Sequence, residues 1–175
     1  MPMRKIQSAK PHKPKPPHTQ ALMSPLPFII DITAQSGDWD LPQTEAERAI
    51  TAVWPLLTAP KSGELSIALM DDAAITALNK TYRGKDKATN VLSFPAIGAA
   101  QLLGDIALSY DTIAAEAKSA GKTFGHHTSH LLIHGFLHLQ GYDHETDAQA
   151  REMEALEIKA LASLGIDNPY EIRKT

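Results

Sequence analysis

The chain contains no cysteine among its 175 residues. That absence excludes disulfides, iron–sulfur clusters, thiolate zinc sites and a cysteine nucleophile, and it is typical of a reducing compartment, so we expect a cytoplasmic protein. Aromatic residues are also scarce, at 6%. No apolar run approaches the roughly 20 residues that a membrane-spanning helix needs, so we expect no membrane partner. Any zinc site in this chain must use histidine or carboxylate ligands.

Acidic residues are missing from the first 27 positions, which hold five basic residues and seven of the twelve prolines. Such a composition cannot bury a core and favours an extended chain. We therefore predict a disordered basic tail over residues 1–25, one folded domain over 26–168 and a C-terminal tail over 169–175. Two interpretations of the basic tail stay open: an arm that contacts RNA, or an extension without a role.

Hydrophobic periodicity in the remaining chain predicts a mixture of strands and helices. Four short, β-branched or apolar segments predict strands: 28–32, 64–70, 91–94 and 104–109. Five segments with helical spacing predict helices: 44–58, 72–82, 112–120, 124–140 and 147–164. The third and fourth strands are close enough to form a hairpin. The order of elements indicates a single α+β domain, with a small mixed four-stranded sheet packed by about five helices.

Three of the eight histidines form a pattern with metal-ligand spacing. His134 and His138 are four residues apart on a predicted helix, so their side chains share a face. Gly141 permits the left-handed turn that would bring His144 back as a third ligand. Three imidazoles leave the fourth tetrahedral position of zinc open, as in catalytic sites. The sequence therefore predicts one Zn²⁺ per chain, on a helix of the C-terminal half and the turn after it.

The same spacing occurs in the metzincin peptidases, whose motif is H-E-x-x-H-x-x-G-x-x-H. Their glutamate is the general base that activates water, and its position holds Gly135 in this chain. Glycine cannot take a proton. The spacing therefore keeps a metallopeptidase or another metallohydrolase as an alternative function, whereas Gly135 counts against a peptidase.

Three segments of the chain resemble the YbeY family of bacterial endoribonucleases, which act in ribosomal RNA maturation. They are His134–His144, Leu78–Pro95 and Leu103–Ile106, and the resemblance covers about residues 28–165. Ala88 stands where many members have proline. The resemblance implies a zinc ion on the three histidines, with an arginine that matches Arg83 near the metal. It also implies partners: the small ribosomal subunit, one of its proteins and an Era-type GTPase.

The second of these segments is rich in positive charge, with Lys80, Arg83, Lys85 and Lys87 inside eight residues. A basic rim beside a metal suits a polyanion such as RNA. Arg83 is our candidate catalytic residue, because its planar fork can donate two hydrogen bonds to phosphate oxygens. Lys85 and Lys87 are candidate substrate-binding residues. A solvated, lysine-rich loop is the alternative interpretation.

Two further residues have open roles. His130 extends the ladder of histidines by one turn, and it either orients a ligand imidazole or lines the groove. Asp143 precedes the third histidine, and it either accepts a proton, supports a ligand or shapes the turn.

Together with the histidine pattern, the family resemblance implies a zinc-dependent endoribonuclease that prefers single-stranded RNA and acts in small-subunit ribosomal RNA maturation and ribosome quality control. Zinc would either polarise a phosphate oxygen or activate water. Unpaired RNA is the expected substrate because A-form helices hide their bases. A non-catalytic ribosome assembly factor, with zinc stabilising its fold, is a further alternative.

Overall fold

A computed structural model describes residues 27–98 and 101–171 of the chain, so the tail predicted for residues 1–25 lies outside the described part. The strands are β1 (Phe28–Ala34), β2 (Gly63–Met70), β3 (Val91–Pro95) and β4 (Leu102–Ser109). The α-helices are α1 (Gln43–Val53), α2 (Asp72–Arg83), α3 (Tyr110–Ser119), α4 (Phe124–Leu139) and α5 (Asp147–Ser163). The predicted α+β fold, with a four-stranded mixed sheet and five helices, is confirmed.

The four strands form one sheet in the order β1-β2-β4-β3. β1 pairs with β2 and β2 with β4 in parallel, whereas β3 pairs with β4 in antiparallel orientation. The last pair is the predicted hairpin. β3 is therefore an edge strand, with β4 on one side.

The two faces of the sheet carry different layers of helix. Leu65 and Ile67 of β2 join the main hydrophobic core, which α1, α4 and α5 cover. Met70 points to the other face, where it packs with Ile75 of α2 and Leu92 of β3. Because successive side chains of a strand point to opposite faces, α4 and α2 lie on opposite sides of the sheet.

Helix α1 ends earlier than the predicted boundary at residue 58. Regular helix stops at Val53, and a single 3₁₀ turn follows over Trp54–Leu56. Pro55 explains the change, since it has no N–H to donate and its ring crowds the preceding turn. In the part of the chain that the structure describes, no helix is both long and apolar enough to span a membrane.

Helix α4 lies unusually close to β3 and β4. A Cβ atom built on Gly135 would lie 3.0 Å from Ser93 Oγ and 3.3 Å from two carbons of Ile106. Ser93 Oγ also donates a hydrogen bond to the Gly135 carbonyl, at 3.1 Å. Because Gly135 has no side chain, the backbone of α4 can approach the sheet closely at this position. This contact fixes the distance between α4 and the sheet.

Candidate metal centre

His134, His138 and His144 come together at the C-terminal end of α4. One nitrogen of each ring lies within 4.8 Å of one nitrogen of each of the others, so the three side chains could hold one metal ion. The ring centroids of His134 and His138 are 4.7 Å apart, and that of His144 lies 5.4 and 5.0 Å from them. His134 and His138 are half-buried, whereas His144 is exposed. The cluster therefore opens to solvent on one side.

The turn after α4 is what brings His144 back to the helix. Gly141 has a φ of +94°, in the left-handed region that costs other residues energy. The Tyr142 N–H then donates to the Leu137 carbonyl at 3.0 Å. Gln140 fixes the same turn from outside, because its side-chain amide exchanges two hydrogen bonds with the Lys61 backbone, at 2.7 and 2.8 Å.

Hydrogen bonds on the far nitrogens determine the tautomers of the two helical histidines. His134 Nδ1 lies 2.7 Å from Glu157 Oε1, and His138 Nδ1 lies 3.1 Å from the Tyr142 carbonyl oxygen. An ionised carboxylate and a carbonyl can only accept, so both Nδ1 atoms carry the proton. In the neutral form of each ring the lone pair is then on Nε2, which is the usual state of a metal-ligating histidine.

The two Nε2 atoms face each other at 3.1 Å. When both rings are neutral, neither Nε2 can donate to the other, so two lone pairs meet at hydrogen-bond distance. A cation between them resolves this repulsion. Two Zn–N bonds of about 2.05 Å at the tetrahedral angle separate their nitrogens by about 3.3 Å. The donor set and its spacing therefore fit a zinc ion.

Burial lowers the pKa of His138 below its ordinary value, and the nearby His134 and His144 rings lower it further. Desolvation disfavours the charged imidazolium, and so do positive neighbours. The ring therefore stays neutral, and available to a metal, to a lower pH than a free imidazole does.

Glu157 of α5 lies behind the cluster, and it is not among the site residues predicted from the sequence. Its side chain is fully buried, and it accepts hydrogen bonds from His134 Nδ1, His130 Nε2 and the Tyr170 hydroxyl. Burial alone would raise the pKa of this carboxyl, but the three donors outweigh it and lower the pKa to about 2. The carboxylate is therefore ionised and anchors His134. In the sequence, Glu157 is four residues from both Met153 and Leu161, so it lies on the apolar face of the predicted helix. An acid at such a position indicates a buried carboxylate with a partner.

The structure gives His130 and Asp143 specific neighbours. His130 Nε2 bonds to Glu157 Oε2 at 2.8 Å, so it shares its carboxylate with the candidate ligand His134. Asp143 Oδ1 accepts from the backbone N–H of His144 at 2.8 Å, a contact that shapes the turn carrying the third histidine.

The basic loop after α2 is held by a buried side chain. Asn79 is 2% exposed, and its amide donates to the Lys87 carbonyl at 2.8 Å. Its own carbonyl accepts from the Lys85 N–H at 3.3 Å. The loop backbone is thus fixed, while the side chains of Lys85 and Lys87 are exposed.

Arg83 is the last residue of α2, on the sheet face opposite α4, and its side chain is exposed. Lys80 pairs with Asp86 at 2.7 Å, whereas Arg83, Lys85 and Lys87 form no ion pair within residues 27–98 and 101–171. No hydrogen bond or ion pair joins Arg83 to the three histidines in that part of the chain. Three cations of the loop are therefore available to an external anion.

The fold and this site define a class: a small α+β protein with a three-histidine, metal-competent centre at the end of a helix packed on a mixed sheet. A family model described as endoribonuclease YbeY matches residues 31–165. The chain belongs to that family.

Curated relatives agree with the assignment. A protein from Chelativorans sp. named endoribonuclease YbeY is 49% identical over 152 residues, which is 82% of this chain and 93% of the relative. One of the same name from Bradyrhizobium sp. is 47% identical over 163 residues, covering 86% and 96% of the two chains. A solution structure from Thermotoga maritima covers 82% of this chain and 100% of its own, with a TM-score of 0.52 and 22% identity. That likeness supports the fold.

Proposed function

We propose that this protein is a zinc-dependent endoribonuclease that cleaves single-stranded RNA at the three-histidine centre. The observation that carries the proposal is the convergence of the three histidines, with the Nε2 atoms of His134 and His138 3.1 Å apart and both Nδ1 atoms at hydrogen-bond distance from acceptors. His144 is the third ligand in this account. Membership of the endoribonuclease YbeY family supplies the reaction class.

A zinc ion held by these imidazoles would supply Lewis-acid polarisation of a phosphate oxygen at the scissile bond. The chain itself contributes orientation: Glu157 fixes the ring of His134, and the Tyr142 carbonyl fixes that of His138. Because His144 is exposed, an extended strand could approach the centre from that side. Unpaired RNA is the proposed substrate because an A-form duplex hides its bases.

In this proposal Arg83 contacts a phosphate oxygen of the bound RNA, and Lys85 and Lys87 attract the strand. Its support is that Arg83, Lys85 and Lys87 have no ion-pair partner among the described residues, and that Asn79 holds the backbone of the loop after α2. A guanidinium that pairs with no carboxylate can donate two parallel hydrogen bonds to phosphate oxygens. Since Arg83 sits on the far face of the sheet from α4, RNA would have to reach around the edge strand β3 to touch both.

The peptidase alternative loses support in the structure. Gly135, which occupies the position of the peptidases' glutamate, is buried against Ser93 and Ile106. A carboxylate at this position would have to enter the helix–sheet contact. The site therefore offers no room for the general base of the metzincin motif.

We extend the proposal to ribosomal RNA as the substrate, with action in small-subunit maturation and ribosome quality control. The partners predicted by the family resemblance are the small ribosomal subunit, one of its proteins and an Era-type GTPase.

The test compares three proteins purified identically: wild type, His134→Ala and His126→Ala. His126 lies on the same helix and is exposed, and it is outside the cluster, so its variant controls for contaminating nucleases and for loss of a histidine. Each is loaded with zinc, repurified and incubated with a defined RNA that contains single-stranded and duplex segments. We expect wild type and His126→Ala to cut the single-stranded segment, and His134→Ala to cut at least about 100-fold more slowly. Equal cleavage by all three would refute the proposal.

A further inference from the structure

A segment from beyond the last helix reaches the back of the metal centre. After α5 ends at Ser163, Gly165 turns the chain with a φ of +73°. The Ile166 N–H donates to the Leu161 carbonyl at 3.0 Å, and the Tyr170 N–H donates to Asn168 Oδ1 at 2.9 Å. The first bond holds residue 166 against the end of α5, and the second forms a turn over residues 168–170.

The phenol of Tyr170 reaches Glu157. Its hydroxyl donates to Glu157 Oε2, and its ring stands edge-on to His130, with centroids 5.7 Å apart at 86°. Tyr170 is 42% exposed as a residue, so it is not part of the hydrophobic core. Only the hydroxyl of this side chain bonds to the buried carboxylate of Glu157 among the described residues.

The two oxygens of Glu157 receive different numbers of donors. Oε2 receives both the Tyr170 hydroxyl and His130 Nε2, whereas Oε1 receives only His134 Nδ1. Two donors on one oxygen fix the plane of the carboxylate, because rotation would break both bonds. The remaining oxygen is then held in line with His134.

We infer that Tyr170 is a positioning residue of the metal centre, which acts through Glu157 to hold the His134 imidazole in its metal-binding orientation. The inference rests on the proposed ligation of zinc by His134. The sequence predicted a C-terminal tail from residue 169 onward. Under this inference, a residue of that segment contributes to the metal affinity. Groups that support a ligating histidine typically change metal affinity by about 10- to 100-fold when removed. Because Tyr170 is one bond further away, we expect an effect of about 3- to 10-fold.

The test is the zinc dissociation constant of folded Tyr170→Phe, measured by competition with a chromogenic chelator well below the unfolding temperature. Tyr110→Phe is the matched control, because it loses the same hydroxyl from a half-buried ring that forms no hydrogen bond within the described residues. We expect Tyr170→Phe to bind zinc about 3- to 10-fold more weakly and Tyr110→Phe to bind it like wild type. A role limited to stability would lower the unfolding temperature and leave this constant unchanged.

A double-mutant cycle shows whether the effect passes through the carboxylate. In a Glu157→Gln background, the Tyr170→Phe change should alter zinc affinity less than two-fold, since residues that act as a unit are not additive. If Glu157→Gln does not fold, the single variant and its control still decide the question.

The outcomes separate the two proposals. If wild type binds no zinc, the metal centre itself is refuted, and this inference with it. If wild type binds zinc and Tyr170→Phe binds it equally well or more tightly, the positioning role alone is refuted. A full additional loss in the Glu157→Gln background would also refute it.

Discussion

Replacing Gly135 by alanine tests whether α4 is seated on the sheet as tightly as its geometry indicates. Alanine in a helix interior is favoured over glycine by about 1 kcal/mol. The new Cβ would lie 3.0 Å from Ser93 Oγ and 3.3 Å from two carbons of Ile106. Ile106 is fully buried, and Ser93 is held by its bond to the Gly135 carbonyl, so neither neighbour can move freely. Such overpacking costs about 1–3 kcal/mol, which exceeds the gain in helix propensity.

We therefore expect Gly135→Ala to lower the free energy of unfolding by about 1 kcal/mol and the melting temperature by about 3–6 °C. Gly125→Ala is the control on the same helix, because a Cβ there meets no atom within 4 Å, and it should be neutral or slightly stabilising. Chemical denaturation measures both. In a Ser93→Ala background the cost of Gly135→Ala should shrink, since the closest neighbour is gone. A Gly135→Ala protein as stable as wild type would refute this description of the contact.

Three further predictions concern the turn, a capping network and the basic loop. Gly141→Ala should cost about 1–2 kcal/mol because of its φ of +94°, and it should weaken zinc binding by displacing His144, as denaturation and chelator competition would show. Burial would raise the pKa of Asp72, but hydrogen bonds from Ser109 and Thr112 outweigh it and lower the pKa. The ionised form is thus favoured in the folded state. Asp72→Asn should therefore cost about 1 kcal/mol above pH 5 and less as the pH falls through the folded-state pKa, which denaturation across pH would reveal; an equal cost at pH 3 would contradict it. Arg83→Ala should retain its zinc and stability but cleave saturating RNA about 100-fold more slowly, with poor rescue by Arg83→Lys; wild-type turnover would make Arg83 a bystander.

Much of the fold could be predicted because local chemistry determines it. The alternation in β2, the turn glycines and the prolines mark most element boundaries within a few residues. The order β1-β2-β4-β3 was not predicted, since an apolar strand pattern shows that a strand is buried but not which strand lies beside it. The hairpin of β3 and β4 was predicted because a short connection limits the choice.

The site likewise has one part that the sequence predicts and another that depends on tertiary packing. The histidine cluster could be predicted because its three members lie within eleven residues, where helical spacing and one glycine turn determine their positions. Glu157 and Tyr170 lie 23 and 36 positions beyond His134, and only the packing of α5 and the following segment against α4 brings them to it. The helical spacing of Glu157 from Met153 and Leu161 marks it as a buried acid, but neither its partner nor the role of Tyr170 follows from spacing along the chain.

The zinc content of the dialysed protein tests the central claim most directly. Wild type should hold about one zinc per chain, because three imidazoles specify a mononuclear site with one open position. His138→Ala should lose most of this zinc, whereas His126→Ala, on the same helix but outside the cluster, should keep it. Zinc content that is unchanged in His138→Ala, or absent from wild type, would contradict the assignment of the metal centre.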